Sequence, residues 1–309
     1  MNFTSVKLSN NALNFLLAQY RAIFKRAYVK GLAAAVMLTA GLAAGQAQAD
    51  PSLSTDNLPT SGQTAVITGA TTANGTYENG RAEFTNFTLN TSGTHVLDGT
   101  ILVNSGSADN YILGSGSDAL KVSGSAAGLG TIQIDITDTA TGAAAAQGLS
   151  IKGNGKDVTV DIGSVQVTRG TLTVGDTNGG NSGSVFLAAD TISVGSETGS
   201  EAYLTISSDS AGVSGTIGRA GETGKEDTVI NVFGGGTMSL ATSAGDGITV
   251  KGKSLTVASD GILITKDGDS NKISTANFTV EDGAFHVITS GTNGGTETFD
   301  GHTATINGN

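Results

Sequence analysis

The chain has 309 residues, among them 46 glycines, two prolines, ten phenylalanines and five tyrosines, with neither cysteine nor tryptophan and a formal charge of −11. That composition excludes a disulfide scaffold, a thiolate zinc site, a thiol nucleophile and a strongly basic nucleic-acid binder. An acidic surface repels anionic partners, so nucleic acid is not expected among them.

Residues 1–49 read as an extended signal peptide. They carry Lys7, Arg21, Lys25, Arg26 and Lys30 and no acid. An uncharged apolar run of about 14 residues, 31–44, follows, shorter than the roughly 20 a membrane-crossing helix needs. Ala47-x-Ala49 ahead of Asp50 is the small-x-small pattern of a signal-peptidase site and predicts cleavage after Ala49. Leu13, Phe15, Leu16, Leu17, Tyr20, Ile23 and Phe24 make a second, partly amphipathic stretch ahead of the basic segment. Removing residues 1–49 leaves 11 basic against 27 acidic residues.

Residues 50–90 contain both prolines, Pro51 and Pro59, and the turn dipeptides Asn74-Gly75 and Asn79-Gly80. They read as an irregular lead-in segment or cap. No proline follows Pro59. Proline cannot donate to a hydrogen-bond ladder, so this absence suits a continuous sheet over 91–309. Residues 143–146, four alanines between Gly142 and Gly148, lean toward helix.

Apolar residues then recur at i, i+2, i+7 and i+9. The copies are Val165, Val167, Leu172, Val174; Val185, Leu187, Ile192, Val194; Ile248, Val250, Leu255, Val257; and Phe278, Val280, Phe285, Val287. Looser relatives lie at 96–103 and 230–240. Each copy reads as strand, turn, strand. An antiparallel hairpin would show the same alternation and build a sandwich. Val165 and Val185 open the first two copies, however, and fixed-period similarity at roughly 20 residues marks a solenoid. The expected fold is therefore all-β, a parallel β-helix (β-solenoid) after the signal segment, with a narrow bore of Val, Ile and Leu. Coils of roughly 20 residues predict about 12 coils and a rod about 60 Å long.

A long leader, basic ahead of its apolar run, and a cysteine-free, acidic, strand-rich chain full of Gly, Ser, Thr and Asn resemble the passenger region of Gram-negative autotransporter (type V secretion) proteins. The absence of cysteine suits a chain that crosses an oxidising periplasm unfolded. The resemblance implies a cell-surface or secreted location and an outer-membrane translocator. The C-terminus, ending at Asn309, departs from the family pattern, because no series of ten-residue strands with aromatic girdles precedes it. The expectation is that the barrel belongs to a longer reading frame or to a separate protein.

Four motifs invite chemistry. Residues 247–254, Gly-Ile-Thr-Val-Lys-Gly-Lys-Ser, satisfy the phosphate-loop pattern, but their variable positions are strand and Leu255-Thr256-Val257 continue it where a helix is required. Residues 113–121 approach the calcium nonapeptide of β-rolls in a single copy, where tandem copies are needed. Asp267-Gly268-Asp269-Ser270-Asn271 begins like an EF-hand loop but has Lys272 and Phe278 where glycine and glutamate belong. His95, His286 and His302 lack partners at metal-ligand spacing. A Thr-x-Thr ice-binding ladder is disfavoured because Thr171-Leu172-Thr173 becomes Thr191-Ile192-Ser193 in the second copy.

No catalytic, cofactor-binding or metal-binding residue is therefore assigned, and no cofactor is expected. The expected role is non-catalytic: presentation, adhesion or aggregation at the cell surface, with a host or neighbouring cell as partner. The alternative is a secreted β-helix enzyme acting on polysaccharide, which needs paired carboxylates in a groove.

Overall fold

The computed structural model describes residues 51–106, 110–137, 147–175, 183–196, 201–208, 215–217, 227–242, 248–266, 271–282, 284–288, 298–299 and 303–306. The expected signal peptide and the alanine run at 143–146 lie outside the described residues.

One coil shows how the chain builds the fold. Val158–Val174 is a single 17-residue strand that serves three sides in succession. Residues 158–162 lie on the first side, 164–167 on the second and 170–174 on the third, after which the chain returns to the first side at Val185. Val158 pairs with Leu120 in the coil before and with Val185 in the coil after. Val165 lies between Ile132 and Ile192, and Leu172 between Leu149 and Leu204. Every ladder among the described strands is parallel, so the fold is a three-sided parallel β-solenoid.

Alternation drives this stacking. Successive strand side chains point to opposite faces, so residues at i and i+2 share one. Val165, Leu172, Val185 and Ile192, together with the other apolar frame residues of the first three copies, are buried. Most intervening polar residues remain partly or fully exposed, as Asn231 in Ile230–Val232 and Thr256 in Leu255–Val257, although Thr173 is buried. β-Branched side chains fit such pleated, half-buried surfaces, and each inward Val, Ile or Leu contributes roughly 1.5–3 kcal/mol by leaving water. The third side carries one column through Leu89, Ile112, Ile151, Val174, Ile206 and Leu240 in adjacent coils.

The stacking register differs from the one the sequence spacing suggests. Val165 stacks on Ile192, and not on Val185. The same step in sequence recurs at two successive corners: Val158 to Val165 turns from the first side to the second, and Val165 to Leu172 from the second to the third. The first copy of the frame spans the second of these corners and the second copy spans the first. The fourth copy likewise stacks Phe278 on Leu255, not on Ile248.

Coil length also differs. It is not constant, and ranges from the short interval between Ile262 and Ala284 to the much longer one between Tyr111 and Ser150. The second side holds ten stacked strands among the described residues, from Arg81–Phe84 through Thr64–Ile67 to Thr303–Ile306. At about 4.8 Å per step this gives a stack of about 40 Å, shorter than the roughly 60 Å expected, because the coils are longer than 20 residues.

The segment around the prolines is ordered into the stack. Ser52–Leu53 pairs with Asn86–Thr91 on the third side, and Arg81–Phe84 covers the outer edge of Thr64–Ile67. Tyr77 packs against Phe84 with ring centroids 5.9 Å apart, and its hydroxyl donates to the Asn57 carbonyl at 3.0 Å.

Candidate functional site

The sequence motifs land on ordinary parts of the solenoid. Thr249–Val257 is one continuous strand, and Gly252 pairs with Thr275. The Lys253 amide donates to the Thr228 carbonyl at 2.8 Å, so the amide that would face a phosphate is already in the ladder. Residues 113–121 form a strand end, a turn and the start of Leu120–Ser123, with Asp118 exposed and Lys156 Nζ donating to the Ser117 carbonyl at 3.1 Å. Asp267–Ser270 lie outside the described residues. Asn271 is buried, and its side-chain oxygen accepts the Ile248 amide at 3.2 Å. His95 Nε2 lies 3.1 Å from the Ser92 carbonyl. The His286 side chain and His302 lie outside the described residues. Among the described residues no group of three or more His, Asp or Glu is placed to hold a metal ion.

Two buried polar groups were not singled out from the sequence. Asn110 is buried at the head of Tyr111–Gly114. Its side-chain oxygen accepts the Phe87 amide at 2.8 Å, and its side-chain nitrogen donates to the Gly148 carbonyl at 2.9 Å. It thereby links three consecutive coils where strand pairing alone leaves backbone groups over. Thr265 follows Leu240 in the inner column of the third side, is fully buried, and its hydroxyl has no hydrogen-bond partner among the described residues. No spacing rule distinguishes either residue from an outward polar neighbour.

The outer faces are where chemistry remains available. The first side carries Lys121, Asp161, Lys251 and Lys272 in its outward columns. The second side is different. Its first column runs Thr100, Thr131, Ser164, Thr191, Val229, Ser254, Asn277, and its second Leu102, Gln133, Gln166, Ser193, Asn231, Thr256, Thr279. Between Thr100 and Thr279 none of these is ionisable and all are half-buried or exposed, but both columns continue past Thr100 to Arg81 and Glu83, and Asp135, paired with Arg169, lies alongside. The central columns of the third side also lack charge, but there Tyr111, Tyr203, Ile262 and Ile264 interrupt Thr and Ser, and Lys152 lies alongside.

This register changes the comparison of threonine pairs. Thr171 and Thr173 are on the third side and Thr191 and Ser193 on the second, so the two pairs never belong to one ladder. The pairs that do stack on Thr191/Ser193 are Ser164/Gln166 and Val229/Asn231. The outcome is a mixed surface, mostly hydroxyl and amide but with Leu102 and Val229 among them, and not a uniform threonine array.

Compared with protein-family models, with curated proteins and with solved structures, the chain finds no match.

Proposed function

We propose that the chain is an exported, non-catalytic presenter at the surface of a Gram-negative cell, passenger-like in the autotransporter sense, acting in adhesion or aggregation. The observation that carries this reading is the parallel stack, whose inward Val, Ile and Leu form a continuous seam while mostly polar side chains face outward along its length. Such a seam leaves only the outer faces for contact, and a solenoid displays them over many coils. In this reading residues 1–49 are the signal that is removed, an outer-membrane translocator carries the remainder outward, and the partner is a host or neighbouring-cell surface.

The test is made in cells that express the chain from its own gene. The mature protein should begin at Asp50 by N-terminal sequencing. Antibody against residues 50–309 should label intact cells, and external protease should remove that label. A chain that is labelled only after cell lysis, with residues 1–49 still attached, overturns the reading.

A further inference from the structure

The N-terminal end of the stack departs from the order of the rest. On each side the described strands stack in chain order, with one exception. Arg81–Phe84 follows Thr64–Ile67 in sequence but lies outside it, on the edge opposite to Thr100–Val103. The strand belongs to a β-hairpin. Asn79 and Gly80, with φ +51° and +79°, make the two-residue turn that antiparallel hairpins favour. Glu78 and Arg81 exchange two backbone hydrogen bonds, at 2.9 and 3.0 Å. The Gly75 amide donates to the Glu83 carbonyl at 2.7 Å, and the Asn74 side-chain oxygen accepts the Glu83 amide at 3.0 Å. The outer edge of Arg81–Phe84 is thus satisfied from within the hairpin, and an antiparallel rung closes an otherwise parallel stack.

Three kinds of contact join this hairpin to the body. The amides of Thr64, Thr68 and Gly69 donate to the carbonyls of Gly80, Phe84 and Thr85 along the shared ladder. Ala82 and Phe84 enter the inner seam. Tyr77 packs on Phe84 and donates to the Asn57 carbonyl, and Asn57 is itself fixed. Its side-chain oxygen accepts the Ser54 amide at 2.7 Å and its side-chain nitrogen donates to the Ser52 carbonyl at 3.2 Å. Thr64–Ile67 keeps its place without the hairpin, because Thr100–Val103 pairs with all four of its residues. A strand inside the stack must break two ladders to open, whereas Arg81–Phe84 breaks one and carries its remaining backbone bonds with it. At the base of the hairpin Gly69 has φ +68°, and the Thr85 amide is anchored on the Pro51 carbonyl at 2.9 Å.

We infer that residues 68–84 are a hinged strap: the hairpin lifts from the edge of Thr64–Ile67 as one unit, with Tyr77 as its latch, while the coils below remain paired. Gly69 and Thr85 are the hinge positions. Closed, the strap ends the stack on a satisfied edge. Open, it bares the backbone of one parallel strand at the tip of the solenoid.

Hydrogen exchange of the purified chain, read by peptide mass spectrometry, tests this. The amides of Ala82 and Phe84 should exchange at one common rate with those of Thr68 and Gly69, at least tenfold faster than Val185–Val194. Thr100–Val103 should stay slow. Tyr77→Phe keeps the ring and removes the latching hydrogen bond, so it should speed the strap amides about fivefold and leave Val185–Val194 unchanged. Tyr77→Ala should speed them further, again without effect on the central coils. Strap amides as slow as those of Val185–Val194, or Thr100–Val103 exchanging together with the strap, overturn the inference. So does a Tyr77→Ala chain in which the strap exchanges as in wild type or every coil speeds up alike.

Discussion

Thr265 is a polar side chain in a position that the neighbouring coils fill with Leu240, Ile206 and Val174. Its hydroxyl is shed from water without a partner among the described residues, which costs about 1–3 kcal/mol. Thr265→Val removes the hydroxyl and keeps the branched shape, so it should raise the unfolding free energy by about 1 kcal/mol, measured by urea titration. Tyr77 provides a pH-dependent counterpart. Burial pushes its hydroxyl up from 10.0 to about 12. The fold thus favours the neutral phenol, which donates to the Asn57 carbonyl. Its contribution is complete below pH 10 and is lost as pH rises through about 12. Urea titrations at pH 8, 10 and 12 should therefore show wild type losing stability relative to Tyr77→Phe between pH 10 and 12. Neither residue stands out in the sequence. An inward threonine and an outward threonine have the same spacing from their apolar neighbours, and only the register separates them.

At the scale of the element, the alternation of Val165, Val167, Leu172 and Val174 was legible because a pleated strand imposes a period of two. The corner to which each copy belongs was not, since the same step in sequence serves two corners of one coil. The first of those corners needs backbone space. At Gly163, between the first and second sides, a Cβ would run into the Gly128 carbonyl. Gly128 belongs to the turn at the same corner of the preceding coil and has φ +80°, so its backbone is not free to yield. Gly163→Ala should destabilise the fold by about 1–3 kcal/mol through this overpacking, read as a lowered melting temperature. The mostly polar columns of the second side were hidden for the same reason as the corners. Its Gln133, Gln166, Ser193 and Asn231 are far apart in sequence and form one column only after the register is known.

For the whole molecule, coil length is the quantity that matters, and it can be tested by deletion. Val158 and Val185 occupy equivalent positions, so removing residues 158–184 excises one complete coil. The shortened chain should fold with a single cooperative transition and slightly lower stability, because each coil contacts only its neighbours. Removing residues 165–184, the interval suggested by the sequence frame, places Ala202–Ser208 one side out of position and should abolish the cooperative melt seen by circular dichroism. The parallel architecture was legible from composition and alternation together: proline-free length, few aromatics and short aliphatic pairs all point to a narrow seam. Coil length was not, because the number of residues between successive strands varies from coil to coil while the alternation within the strands stays the same.

The pairing distances have a further consequence for how such a chain acquires its structure. Among the described strands of the three sides, the longest wait for a partner laid down before is that of Ser150 for Tyr111, which is still a single coil. A chain emerging lengthwise through a narrow opening could therefore set behind itself as it arrives, each new turn using the last as a template. Withdrawal would then require undoing the finished part, so growth of the structure itself works as a ratchet.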